Sequence, residues 1–134
     1  MNKVTAIICS WVIGVIGGEI VVSIFGVERS NFGLSFLFNI PLLLISIISI
    51  MSFFASLMLP ENSKRLHFWN CFIGILVVDS IILINNLKLC YLIIIASFFQ
   101  LFAGIIFVLL GSFIRKKITE KRNLENDKII SNHD

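Results

Sequence analysis

The chain has 134 residues, 57% of them hydrophobic and only 14% charged, with a mean hydropathy of +0.99; soluble domains average roughly 45–50% apolar and about 25% charged. At about 20 apolar residues per crossing, this length holds four or five membrane helices and leaves no room for a soluble catalytic domain. The net charge of +3 comes mostly from basic residues beside the last apolar run, so topology explains it better than nucleic acid does.

The first apolar run covers residues 4–27, follows Lys3 and is interrupted only by Glu19. A signal peptide has an apolar region of about 7–15 residues followed by small residues at the cleavage site. Here the run continues past Gly17-Gly18, and Ile7-Ile8 precede Cys9 where a lipoprotein site needs a small residue. An uncleaved helix is expected. The break Glu28-Arg29-Ser30-Asn31 leads to a second run, 34–59, with Pro41 near its start and Pro60-Glu61-Asn62-Ser63-Lys64-Arg65 as its stop. The stretch 68–114 is too long for one crossing, and Asn85-Asn86-Leu87-Lys88 divides it into helices at 68–86 and 89–114.

The expectation is therefore an all-α integral membrane bundle of four transmembrane helices over residues 1–114. Residues 115–134 form a polar cytoplasmic tail, a helix extension fraying into disorder. Lys and Arg concentrate in loops on the cytoplasmic side of a membrane. With four crossings, one side holds Lys3, Lys64, Arg65, Arg115, Lys116, Lys117, Lys121, Arg122 and Lys128, and the other holds Arg29 and Lys88. That predicts both termini inside. Trp69 and Tyr91 fall at the two predicted boundaries, where amphipathic rings prefer to lie, and Trp11 lies deeper.

Small residues let membrane helices approach closely. Ser10, Gly14 and Gly18 recur every four residues with Gly17 beside them; Ser35, Asn39, Ser46, Ser49 and Ser56 share a face of the second helix, and Ser97, Gln100, Gly104 and Gly111 one of the fourth. Packing within the bundle is the plainer reading of these seams. A homodimer through the first helix is the sharper one.

Two acids interrupt the runs, Glu19 and Asp79. A charge at mid-membrane costs at least about 2.5–3.5 kcal/mol and usually faces inward. Both are predicted roughly 8–12 Å beneath the outer boundary. Asn39 and Ser97 reach about the same level, and Pro41 frees a backbone carbonyl nearby. Two carboxylates close together in low dielectric do not both ionise readily, so such a layer can bind a cation or relay protons. Alternatively, the acids only hydrogen-bond the helices together.

The sequence contains no GxGxxG, phosphate loop or HExxH, and its histidines, His67 in a loop and His133 in the tail, are read as solvated. Cys9, Cys71 and Cys90 have neither disulfide nor metal spacing and are read as small apolar residues, Cys90 being the most reactive. No cofactor, metal or nucleic-acid partner is expected, and no enzymatic activity. The basic cluster from Arg115 to Arg122 suits anionic lipid headgroups, and its plainer role is to fix the inward orientation.

Two functions follow. One is a small multi-pass protein of a bacterial inner membrane acting by contact with another membrane component, in an accessory, assembly, immunity or exclusion role. The other is a small proton- or cation-coupled transporter using Glu19 and Asp79. Four helices with a glutamate inside the first are similar in architecture to the small multidrug resistance transporters. That family's glutamate follows alanine, whereas this sequence reads Gly17-Gly18-Glu19-Ile20, and Asp79 departs from its pattern; no family is assigned.

Overall fold

In hydrocarbon a backbone must satisfy its own N–H and C=O groups, which favours helices for runs this apolar. A computed structural model describes residues 2–26, 32–60, 63–85 and 87–131, with side chains except at 32–37, 64 and 129–131. The polar breaks at 28–31 and 61–62, Val27, Asn86, His133 and the side chains of Ser35 and Lys64 lie outside the described residues.

The described residues form α1 (Lys3–Phe25), α2 (Phe32–Met58), α3 (Lys64–Asn85) and α4 (Cys90–Ser131), with a short 3-10 turn at Leu87–Leu89 before α4. Pro41 sits inside α2 without ending it. α3 starts at Lys64 rather than at 68, which takes His67 out of the expected loop and into its first turn. α4 does not stop near 114. Its 42 residues rise about 63 Å at 1.5 Å each, twice the roughly 30 Å of a hydrocarbon core. No Gly or Pro interrupts residues 112–131, and Lys116/Glu120 and Lys121/Glu125 stand at the i,i+4 spacing that supports an exposed helix.

The centre of the bundle is α2, packed along α1 on one side and along α4 on the other, while α3 leans more lightly on α4 and α2. Ile48 and Met51 of α2 meet Cys71 and Ile75 of α3, with Trp11 and Leu101 closing over them from α1 and α4. Ala6, Ala55 and Leu59 form a second cluster towards the start of α1.

The polarity of the helix faces is inverted relative to a bundle in water. In α1 the buried residues are Ala6, Ser10, Gly14 and Gly18, and the exposed ones include Val4, Ile8, Val12, Val15, Ile16 and Ile20. Small residues inside and branched aliphatics outside are what packing in lipid requires. A Cβ on Gly14 would stand 2.8 Å from the Met51 Cβ and 2.9 Å from the Ile47 carbonyl oxygen, so α1 and α2 approach more closely than side chains allow. Gly18 rests on Ile47, and Gly104 of α4 on Ile48 and Cys71. The α1 seam is thus occupied by α2 of the same chain. It is not free for a second copy.

Candidate functional site

Asp79 stands six residues before the end of α3, about 9 Å of helical rise, with its side chain buried against α4. Ser97 and Gln100, three apart and therefore on one face of α4, turn towards it. The Ser97 hydroxyl is 2.5 Å from Asp79 Oδ2 and 2.8 Å from the Ile93 carbonyl. Gln100 Nε2 donates to Asp79 Oδ1 at 3.0 Å. The amide of Gln100 is fully buried, and its Oε1 has no hydrogen-bond partner. Two carboxylate oxygens, a hydroxyl and an amide oxygen therefore gather where α3 and α4 meet. Asp79 and Ser97 border a cavity of about 290 Å³ whose other walls, among them Phe72, Ile75 and Leu101, are apolar. Chemically, the group is an acid held in a fixed position by two donors, able to hold a proton or a small cation beside an apolar space.

The other acid is placed differently. Glu19 is six residues from the end of α1, the same rise as Asp79 from the end of α3, yet its side chain is exposed. Ser23 donates to its backbone carbonyl at 2.8 Å, but among the described residues none bonds or pairs with its carboxylate. Asn39 lies beside Gly26, where α1 ends, with its Oδ1 3.1 Å from the position a Gly26 Cβ would take. Of the four residues expected to share one polar layer, Asp79 and Ser97 are brought together, and Glu19 and Asn39 are not with them. Glu19 faces outward, and Asn39 stands level with Gly26, about 10 Å of helical rise beyond Glu19.

Three polar positions that matter were misjudged or passed over in the sequence. Gln100 reads there as a packing residue, although its spacing from Ser97 was the available signal that it belongs with the serine's partner. The indole Nε1 of Trp11 donates to Asn70 Oδ1 at 2.8 Å, tying α1 to α3 across the bundle; a single amide in an apolar run was the signal. His67, read as solvated, is buried in the first turn of α3, and the Arg115 guanidinium lies close enough for its charge to act on the imidazole. Of the cysteines, Cys71 is buried, Cys9 half-buried and Cys90 exposed. Among the described residues no group of three His, Cys, Asp or Glu side chains could hold a metal ion.

The chain matches no known protein-family model, no curated protein and no solved structure. Its class rests on the fold itself: four helices long and apolar enough to cross a membrane, the pattern of a multi-pass helical membrane protein.

Proposed function

We propose that this protein works by contact with another membrane component in a bacterial inner membrane, in an accessory, assembly, immunity or exclusion role, with both termini cytoplasmic. The supporting observation is Glu19, exposed on α1 within an otherwise apolar span. A carboxylate facing hydrocarbon costs about 2.5–3.5 kcal/mol on insertion scales, which is why such groups normally turn towards protein. The complementary surface is a transmembrane helix that presents Lys, Arg or another hydrogen-bond donor to this face. Because the small-residue seam of α1 is taken by α2, docking uses the outward face around Val15, Ile16, Glu19 and Ile20.

Affinity purification from native membranes in mild detergent tests this reading with the wild type, Glu19→Gln and Glu19→Leu. A stoichiometric membrane protein is expected with the wild type, weakened by Gln and lost with Leu, while the variants stay folded. Equal recovery with Glu19→Leu would contradict it.

A second reading, a small proton- or cation-coupled transporter, is favoured by one observation, the Asp79 cluster opening on the cavity between α3 and α4. It draws no support from a Glu19–Asp79 pair. Loss of a pH-dependent uptake or sensitivity phenotype in a folded Asp79→Asn variant would favour transport.

A further inference from the structure

At the opposite end of the α3–α4 groove from Asp79, two nitrogen atoms are buried with no hydrogen-bond partner among the described residues. One is Nδ1 of His67, a residue only 6% exposed, and the other is a terminal guanidinium nitrogen of Arg115. The guanidinium is close enough to act electrostatically on the imidazole. Buried polar groups are nearly always hydrogen-bonded, and a guanidinium can only donate. With the imidazole proton on Nδ1 both nitrogens donate, and what they can then share is an anionic acceptor with several oxygens; phosphate fits the guanidinium fork best.

His67 also lines a second cavity, about 150 Å³ in volume, whose remaining walls are almost wholly apolar and include Phe68, Cys71, Gly104, Val108 and Leu109. The space is half open at the surface between α3 and α4, and its apolar lining suits hydrocarbon. From Leu101 to Leu109 the α4 wall rises about 12 Å, the length of a stretch of acyl chain. Arg115 follows six residues after Leu109, about 9 Å further along α4. Exposed Lys116 and Lys117 follow it directly.

We propose that His67 and Arg115 bind the phosphodiester of an anionic glycerophospholipid, with part of one acyl chain in the cavity between α3 and α4. Both elements are needed: the phosphate satisfies the two buried nitrogens, and the hydrocarbon covers the apolar groove that a free anion would leave uncovered. This site is separate from the α1 face and does not depend on how that face is used.

The test is native mass spectrometry and thermal melting of the full chain, delipidated and returned to phosphatidylcholine nanodiscs with or without phosphatidylglycerol, and in parallel in detergent with inorganic phosphate. The wild type is expected to retain phosphatidylglycerol and to melt at a higher temperature with it. Arg115→Gln and His67→Gln should each lower retention at least about tenfold, while Lys121→Gln/Arg122→Gln, further along the same helix, should lower it far less. Val108→Phe, which narrows the cavity and leaves both nitrogens in place, should also lower retention, so the test does not rest on the polar variants alone. Unchanged retention in folded Arg115→Gln would overturn the site. An equal loss in the Lys121/Arg122 variant would do so too, since it indicates diffuse attraction. Stabilisation by inorganic phosphate equal to that by the lipid would overturn the lipid assignment.

Discussion

Asp79 is fixed by Ser97 and Gln100 from one face of α4. Hydrogen bonds between membrane helices are worth on average about 0.6 kcal/mol and at most about 1.7. Ser97→Ala and Gln100→Ala are each expected to destabilise the bundle within that range. Adding Asp79→Leu to either donor variant should cost less than the separate effects added together, because the acid and that donor lose one shared hydrogen bond. Unfolding in mixed micelles, arranged as a double-mutant cycle, reads this coupling directly, and strict additivity would remove the network from the account. The Asp79–Ser97 pairing was legible in the sequence because each is a lone polar group in an apolar run at matching depth. The facing of Glu19 was not, since depth along a helix says nothing about which neighbour stands opposite. Asn70 and Trp11 escaped notice because an amide and an indole stand out less than a carboxylate.

Between elements, close approach of α1 and α2 depends on two kinds of glycine. A Cβ at Gly14 meets the Ile47 carbonyl, a backbone atom that cannot move aside, whereas at Gly17 it meets the end of the Ile50 side chain at 2.7 Å. Gly14→Ala should therefore cost more than Gly17→Ala, within the roughly 1–3 kcal/mol typical of overpacking. Steric-trap or thermal unfolding of the two variants tests the order, and the reverse order would mean that the helices separate easily. The four helices were legible because their apolar runs are long. Their ends were less so. Polarity marks the end of a core, not the end of a helix; the charged stretch after Arg115, expected as a fraying extension, is helical to Ser131. Lys64 and Arg65 likewise read as a loop, yet they open α3.

For the molecule as a whole, the inverted faces follow from the solvent. Large exposed side chains such as Phe98, Phe102 and Leu109 on α4 would be untenable in water, but they are ordinary in lipid. The proposed orientation places a reporter fused after residue 134 in the cytoplasm, because basic residues gather on that side. A phosphatase fusion there should be inactive and a fluorescent-protein fusion bright; an active phosphatase would overturn the inward C-terminus.

The proposed role by contact stands or falls with the outward face of α1. The most direct measurement is in-cell photo-crosslinking with a benzophenone amino acid placed in turn at Val15, Ile16 and Ile20 around Glu19, and at Phe98, Phe102 and Ile106 on α4. One discrete membrane-protein adduct from the α1 positions, absent from the α4 positions and lost when Glu19→Leu is added, is the expected result. Adducts to lipid alone at the α1 positions, or the same protein adduct from both helices, would contradict it.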